Sequence, residues 1–576
     1  MSEKLSRAKH AHVEEAVACD EEAVSSRELV PKETEELSQQ AEESAQIAER
    51  SIGTSAALIS VCTIVSRITG FIRTWAMAFA LGSTMLSSSY QVANNLPSML
   101  FELVVGGMLV TAFLPVYLTV KKKLGNEAGN EYASNLFTIV LVFLGLMSVL
   151  CIAFPAQVVY TQSFFSDQSE MADAVFFFQI FAIQIVFYGL SSILSGLLNA
   201  NRDYLWSSIA PVANNVIVII SFLLFAVLAD GNYVLALWII AVGNPLGVFA
   251  QMIIQWPALK RNGIRLRLHL NLKDPALVDT LRIGLPAVFV MVCSFAVVSV
   301  QNAAAYAFAD EGPSIIAYAR LWYTLPYSFL AVPITTAMFT ELSDMQSDGD
   351  MDGVKRGILS GTNQIMFLMI PFAMYLVVFA VPLVTLYQAG AFTEDAVGSI
   401  SSYLCALALS LPIYGVHTYL QKVFSSLRRM GVFALINFFN SALQAALVAL
   451  AAVTHVLPIE SIAWTSIVFY GLGDIVMFMY LRNRFGSFGF SSTLRTCVKA
   501  TLLGAVGALA GGAVLWVLNT LVVSFAGSIP LAFAYVVCGG MVSLLVTFGL
   551  SYKLKVAEAG FVNGLIDKFA RKIVKR

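Results

Sequence analysis

Three arginines lie in otherwise apolar stretches and are the residues of this sequence best suited to bind a charged ligand. Arg67 and Arg73 belong to the first long apolar run, and Arg320 belongs to a later one. An arginine at mid-bilayer costs about 2.5–3.5 kcal/mol on insertion scales, so such a residue normally faces a cavity or a partner. Because a guanidinium binds phosphate through two parallel hydrogen bonds, we predict that these arginines line a central cavity and bind an anionic headgroup.

Two acidic residues, Glu102 and Asp474, lie comparably deep in apolar runs. Either could titrate and couple transport to protons or Na+. Glu102 could instead form an ion pair that balances the charge of Arg67 or Arg73. For Asp474 the alternative is a helix–helix hydrogen bond near the cytoplasmic end of its span. The sequence leaves these alternatives open.

Other chemistry has little support in the sequence. The seven cysteines and five histidines are scattered, without a CxxC pair or zinc spacing. There is no nucleophile elbow, P-loop or HExxH pattern. We therefore predict no catalytic residue, no metal site and no cofactor, and a transporter in place of an enzyme. The net charge of -1 offers no field that would attract nucleic acid.

The composition predicts an all-α membrane protein. Of the 576 residues, 58% are hydrophobic and only 12% are charged, against roughly 25% charged in soluble domains. A span needs about 20 apolar residues. Fourteen such runs are present, at 53–82, 90–120, 132–154, 174–199, 207–229, 233–255, 279–308, 314–342, 359–387, 397–421, 431–453, 461–481, 497–525 and 529–552.

Loop charges predict the orientation. With the N-terminus in the cytoplasm, Lys and Arg fall in the inside connections and none falls in the outside connections. Both termini are then cytoplasmic. The predicted parts are an acidic, disordered tail (1–52), a first lobe of six spans (53–255), a basic linker (256–278), a second lobe of six spans (279–482), two further spans (497–552) and a basic tail (553–576).

A weak internal repeat suggests how the spans are grouped. Leu96-Pro97 in span two matches Leu325-Pro326 in span eight, and LLNANRDYLW (197–206) matches KVFSSLRRMGVF (422–433). We therefore predict two six-helix lobes around a central cavity, with spans thirteen and fourteen appended. Proline recurs inside the spans, as is common in transporters that must flex.

Several segments, in the same order along the chain, resemble the MurJ/MviN family of lipid II flippases. They are SRITGFIR (66–73), VANNLPSML (92–100), AFLPVYL (112–118), GLLNANRDYLWSSIAPVANN (196–215) and LYQAGAFTEDA (386–396). The resemblance implies the two-lobed fold of the multidrug/oligosaccharidyl-lipid/polysaccharide exporters. It also implies transfer of undecaprenyl-pyrophosphate-linked peptidoglycan precursor from the inner to the outer leaflet by alternating access.

The resemblance has further implications for the site. The family's two span-one arginines fall on Arg67 and Arg73, its span-eight cavity arginine falls at or next to Arg320, and its last two spans form a groove for the lipid tail. Where relatives often carry an acidic residue after the second arginine, this chain has Thr74. Where a basic residue commonly precedes the span-two Leu-Pro, it has Asn95. The cavity is therefore expected to be less cationic than in the best-known members.

The family implies a multi-pass protein of the bacterial cell membrane that acts in peptidoglycan biosynthesis. Its partners would be the lipid-linked precursor, membrane lipids and cell-wall synthesis proteins, and its driving force a membrane potential or an ion gradient. Three alternatives stay open: a flippase for another polyprenyl-linked glycan, a cation-coupled multidrug exporter, and a non-transporting scaffold that docks cell-wall enzymes through its acidic tail.

Overall fold

The computed structural model describes part of the chain, and that part is built from helices. Its described residues are 61–103, 113–271, 274–487, 489–560 and 564. By its internal contacts the chain divides into Met1–Ile64 and Val65–Arg576, and the architecture below is that of the second unit. A helix satisfies its own backbone N–H and C=O groups, which an apolar membrane interior requires. The predicted tail 1–52 lies outside the described residues.

The helices are numbered in chain order. They are α1 (Val61–Leu81), α2 (Met85–Phe101), α3 (Leu114–Ala153), α4 (Pro155–Tyr160), α5 (Ala172–Phe181), α6 (Gln184–Ala200), α7 (Tyr204–Leu228), α8 (Tyr233–Ile253), α9 (Trp256–Arg261), α10 (Pro275–Phe308), α11 (Gly312–Pro326), α12 (Val332–Ser347), α13 (Met351–Val378), α14 (Ala380–Thr385), α15 (Glu394–Ala408), α16 (Leu411–Ser426), α17 (Met430–Thr454), α18 (Glu460–Phe485), α19 (Phe490–Val517) and α20 (Ile529–Lys553).

The described residues contain ten helices long and apolar enough to cross a membrane, or up to twelve if each of two bent pairs is one span. The bent pairs are α5–α6 and α15–α16, with bends of 41° and 52°. The predicted spans 90–120 and 314–342 are outside this set. The first includes residues that the structure does not describe, and a π-helical segment, Tyr327–Ala331, separates the two helices of the second. The all-α membrane fold is confirmed, and the count of fourteen stays a prediction.

The surface of the helices is apolar, as lipid contact requires. On α19 the side chains Val498, Leu502, Val506 and Leu509 are all exposed and recur every three or four residues, so that they share one face. Leu509 alone exposes 74% of its area. An apolar stripe of this kind would be unfavourable in water and is favourable against acyl chains.

The internal repeat extends to helix boundaries. Tyr204–Leu228 and Met430–Thr454 begin and end 226 residues apart. The turns before them match as well, because Arg202 and Arg428 have φ values of 59° and 55°. Both turns are closed by the hydrogen bond from that arginine's N–H to the carbonyl three residues earlier, at 3.1 and 3.0 Å. The sequence repeat between these segments therefore reflects a shared local structure.

The two last helices are held against α13 by small and hydroxyl residues. The Tyr375 hydroxyl donates to Thr547 Oγ1 at 2.6 Å and lies 3.2 Å from the carbonyl of Ser543. A Cβ on Gly507 would come closer than 3.0 Å to Thr547, and one on Gly511 would do the same with Ser543. Glycine at these positions permits the close α19–α20 approach, as in small-residue helix pairs of other membrane proteins.

Candidate substrate-binding site

A polar cavity of about 420 Å³ lies between helices of the two predicted lobes. Helices α1, α2, α7 and α8 line it from the first lobe, and α10 and α11 line it from the second. The side chains around it are Arg73, Thr74, Met77, Tyr90, Gln91, Asn94, Asn95, Ser98, Met99, Val218, Phe222, Asn244, Val298, Asn302, Pro313, Ile316, Ala317, Arg320, Leu321 and Thr324. This set includes two cations and no carboxylate, so the cavity is suited to an anion.

Arg73 and Arg320 come to this cavity from different lobes. None of the ion pairs among the described residues includes either arginine. Arg320 Nη2 lies 3.5 Å from Gln301 Oε1, at the long limit of a hydrogen bond. Both guanidinium groups therefore keep most of their donors available for a ligand.

Helix α2 contributes a stripe of polar side chains, of which the sequence analysis named only Asn95. Gln91, Asn94, Asn95 and Ser98 all line the cavity, and their spacing of three or four residues places them on one face. The start of α2 is fixed by Thr84, whose hydroxyl accepts from the Ser87 N–H while the Ser87 hydroxyl accepts from the Thr84 N–H. The signal was present in the sequence as four polar residues recurring at helical spacing within an apolar run.

Amide side chains hold the cavity wall in place. Asn302 Nδ2 donates to Gln162 Oε1 at 2.9 Å, and Gln162 Nε2 donates to the Ser299 hydroxyl. Gln162 is buried. Asn302 therefore presents its carbonyl oxygen to a ligand while its amino group is anchored. Thr74 and Asn95, the two departures from the family pattern, both line the cavity.

The lobes are joined tightly at the end of the cavity where α1 ends. The Trp75 indole N–H donates to the Leu386 carbonyl at 3.1 Å, and the Ala391 N–H donates to the Phe79 carbonyl at 2.9 Å. Gly82 and Gly390 have φ values of 65° and 61°. A Cβ on Gly82 would come closer than 3.0 Å to the Ala391 backbone, and one on Gly390 would do the same with the Phe79 backbone. We call this contact, residues 79–82 with 390–391, the glycine latch.

The structure does not bring the other predicted residues into the cavity. Arg67 is exposed, about 9 Å along α1 from Arg73, and is not among the cavity-lining residues. Glu102 caps the end of α2, is exposed, and takes part in none of the ion pairs of the described residues. The described geometry therefore gives no support to the Glu102–arginine pair, and a role for Arg67 in binding stays a prediction.

Asp474 lies outside the cavity and has a partner that sequence reasoning missed. Its Oδ1 is 3.0 Å from His417 Nδ1. This is a helix–helix hydrogen bond of the kind considered for Asp474, although it lies near the middle of α18 and not near its end. Among the described residues, no group of three or more His, Cys, Asp and Glu side chains could hold a metal ion.

Comparisons with known proteins agree on the family. The model of the family described as "Lipid II flippase MurJ" matches residues 77–535, a range that begins after Arg67 and Arg73. The lipid II flippase MurJ of Burkholderia cenocepacia is 28% identical over 361 residues, which are 61% of this chain and 69% of that protein. The probable lipid II flippase MurJ of Rickettsia prowazekii is 23% identical over 374 residues, or 64% and 72% of the two chains.

Solved structures agree on the fold. A lipid II flippase MurJ in an inward closed conformation superposes with a TM-score of 0.68 at 17% identity, covering 86% of this chain and 99% of that one. An inward-facing multidrug resistance MATE transporter of the MOP superfamily gives 0.61 at 14% identity, covering 74% and 96%. Both neighbours share the helical fold that surrounds the arginine cavity. Since the family model matches most of its length, this chain belongs to the lipid II flippase MurJ family of multi-pass membrane proteins.

Proposed function

We propose that this protein moves lipid II, the undecaprenyl-pyrophosphate-linked peptidoglycan precursor, from the inner to the outer leaflet by alternating access. One observation carries the proposal beyond family membership. Arg73 and Arg320 extend from different lobes into one polar cavity that contains no carboxylate. A headgroup with charges and hydroxyls cannot cross roughly 30 Å of hydrocarbon unprotected. A cavity of this kind would replace its water shell.

The arginines would bind the pyrophosphate and the amides would bind the sugars. Each guanidinium can hold two phosphate oxygens through parallel hydrogen bonds, a planar geometry that a lysine ammonium does not provide. The side chains of Gln91, Asn94 and Asn302 offer both donors and acceptors to hydroxyl groups. At about 420 Å³ the cavity has the size of a small-molecule site, so a disaccharide-peptide requires the lobes to separate. The glycine latch would open or close in that movement.

The lipid tail would lie in an apolar groove beside the cavity. This groove has a volume of about 310 Å³ and lies between α11, α13 and α20. Its wall includes Trp322, Phe329, Phe379, Val536 and Leu544. Leu321 lines the cavity and Leu325, one turn later on α11, lines the groove, so a lipid whose phosphate met Arg320 could leave its first isoprene units there. Of the two appended helices, α20 would then form part of the tail site.

Orientation and energy supply complete the proposal. Among the connections between predicted spans, Lys and Arg occur on one side only, which favours both termini in the cytoplasm. Rocking of the lobes makes and breaks no covalent bond, so the protein would act as a transporter without catalysis. A membrane potential or an ion gradient would drive the cycle, and cell-wall synthesis proteins would consume the product outside.

The test replaces one cavity arginine at a time in cells depleted of their own lipid II flippase. Outer-leaflet lipid II would be measured with Arg73→Lys, Arg320→Lys, or the control Arg356→Lys, whose side chain is 75% exposed and outside the cavity. Losing one charge-assisted hydrogen bond costs about 1.5–3 kcal/mol, so we expect exposure to fall roughly ten- to a hundredfold in the cavity variants. Wild-type exposure in both cavity variants at equal protein levels would refute the proposed role of the arginines.

Two alternatives have different expected outcomes. If the protein is a flippase for another polyprenyl-linked glycan, supplying it to depleted cells will not restore lipid II in the outer leaflet. A multidrug exporter of cationic drugs is not favoured, because the cavity carries two arginines and no acidic side chain. A drug-resistance assay with the wild-type protein would show whether that activity is present as well.

A further inference from the structure

His417 of α16 and Asp474 of α18 form a buried ionisable pair in the second lobe. Nδ1 of the imidazole lies 3.0 Å from Oδ1 of the carboxylate, and the two side chains are only 7% and 9% exposed. In every other ion pair of the described residues, at least one of the two side chains is 50% exposed or more. Aromatic rings surround the imidazole, with those of Phe433, Phe469 and Tyr470 centred 5.2–5.7 Å away.

The first lobe builds the same helix crossing without any ionisable group. Asn214 lies against Gly247, and 226 residues later Asn440 lies against Gly473, so closely that a Cβ on either glycine would come within 3.0 Å of the asparagine side chain. The packing of the crossing therefore depends on an asparagine and a glycine that both lobes share.

At the same offset, Ser191 takes the place of His417 and Val248 takes the place of Asp474. The Ser191 hydroxyl accepts from Gln255 Nε2 at 2.9 Å, and Val248 is fully buried. The fold thus tolerates a neutral pair at these positions. Packing does not explain why the second lobe has a histidine and an aspartate there, since a buried ion pair is often no more stable than an apolar replacement.

A proton is the ligand that this pair is built to take. With one proton more, the pair is an imidazolium beside a carboxylate and has no net charge. With that proton removed, a neutral imidazole beside a carboxylate leaves one negative charge in the protein interior, which costs several kcal/mol. The proton will therefore leave only when water or a cation can stabilise the remaining carboxylate.

Tyr470 and Asn440 are polar side chains next to the pair. Tyr470 lies within electrostatic reach of both Asp474 and Arg320, and its ring is 5.2 Å from that of Tyr414. From α17 the pair faces Phe433 and Asn440, neither of which titrates. Asn440 Nδ2 is buried and has no hydrogen-bond partner within the described part of the chain, so a donor is available close to His417.

We propose that His417 and Asp474 form a proton-binding site and that loss of its proton favours the conformation in which Arg320 and cavity water approach the pair. The protonated, uncharged pair favours the conformation in which the aromatic shell stays closed. The pair bridges α16 and α18, and α16 is the second half of a bent span, so a change in its charge acts on a segment already broken at 409–410. The link concerns lobe movement and does not depend on which lipid is carried.

The test measures lobe movement against pH in the purified full-length protein without cargo. Probes introduced by genetically encoded amino acids at Asp230 and Val456, which are exposed and equivalent in the two lobes, report the distance between lobes by pulsed EPR. Between about pH 5 and about pH 9 we expect the ratio of the two distance populations to change at least about tenfold. Asp474→Asn should keep one ratio throughout.

A double variant tests whether the loss of the pH response results only from a change in folding. His417→Ser with Asp474→Val installs the residues of the first lobe and should fold with an unchanged melting temperature and a flat pH response. Asp352→Asn, an exposed carboxylate with a 78% exposed side chain, should follow the wild-type curve. A flat wild-type response, or a double variant that responds like the wild type, would overturn the proposal. Infrared difference spectra should show a titrating imidazole in the wild type that the double variant lacks.

Discussion

Replacing Gly390 by alanine should open the lobes at the glycine latch. The new methyl group would come closer than 3.0 Å to the Phe79 backbone carbonyl, a contact that real Cβ atoms do not make. The backbone must then retreat and stretch the hydrogen bond from the Ala391 N–H to the Phe79 carbonyl, now 2.9 Å. Overpacking costs about 1–3 kcal/mol and a lost hydrogen bond about 0.5–1.5 kcal/mol, and both costs apply only to the latched conformation.

A total of about 1.5–4.5 kcal/mol should lower the ratio of latched to open molecules at least about tenfold. The positive φ of residue 390 adds about 1–2 kcal/mol for any residue other than glycine, so the control must separate this strain from the steric contact. Gly349→Ala is the matched control, because Gly349 also has a positive φ, 77°, and a Cβ there would meet nothing within 4 Å.

Pulsed EPR between Asp230 and Val456 would measure the two populations. We expect a longer distance to dominate in Gly390→Ala and the wild-type distribution to persist in Gly349→Ala. If Gly390→Ala kept the wild-type distribution, or if Gly349→Ala shifted it equally, the reasoning from interlobe contact would be wrong.

Two further predictions concern the appended helices. Tyr375→Phe removes the 2.6 Å hydrogen bond to Thr547 and should lower the free energy of unfolding by about 1 kcal/mol, whereas Tyr233→Phe, at an exposed site, should not; thermal unfolding would compare them. Glu558 follows α20. Burial raises the pKa of its carboxyl group, but hydrogen bonds from its own backbone N–H, from the Thr496 hydroxyl and from Lys499 have the larger combined effect. The pKa of Glu558 is therefore lowered. Its stabilising effect should therefore be complete above the unfolded pKa of about 4.3 and disappear as pH falls through the lower folded value. Protease cleavage near residue 558, followed against pH, should lose this dependence in Glu558→Gln, and an unaltered dependence would count against the assignment.

Charge placement along the sequence is sufficient to find the two cavity arginines. Placing a guanidinium within a membrane span costs free energy, so Arg73 and Arg320 stand out among the basic residues of the chain. The same argument selects Arg67, which lies on α1 but not at the cavity. The sequence gives the position of a residue along its helix. Whether the residue faces the cavity or the lipid depends on which helices pack against the other faces of that helix.

The amides and the histidine were missed for a related reason. Asn94 and Asn302 are uncharged, and amides inside spans often serve only to join helices. His417 is separated from Asp474 by 57 residues, and an isolated histidine in an apolar run gives no sign of a partner. The glycine latch was equally hidden, because Gly82 and Gly390 acquire their meaning only when two distant loops meet.

The repeat offers a way to separate what the fold requires from what function has added. Positions that match across the two lobes, such as Asn214 with Asn440 and Gly247 with Gly473, belong to the shared packing. Positions that differ mark where one lobe has acquired chemistry of its own, as Val248 and Asp474 do. Among the described residues only the second lobe carries a buried ionisable pair, so the proposed protonation would act on that lobe without altering the first. Because the change in charge would affect only one lobe, it would favour one direction of the lobe movement. Two identical lobes would have no such preference.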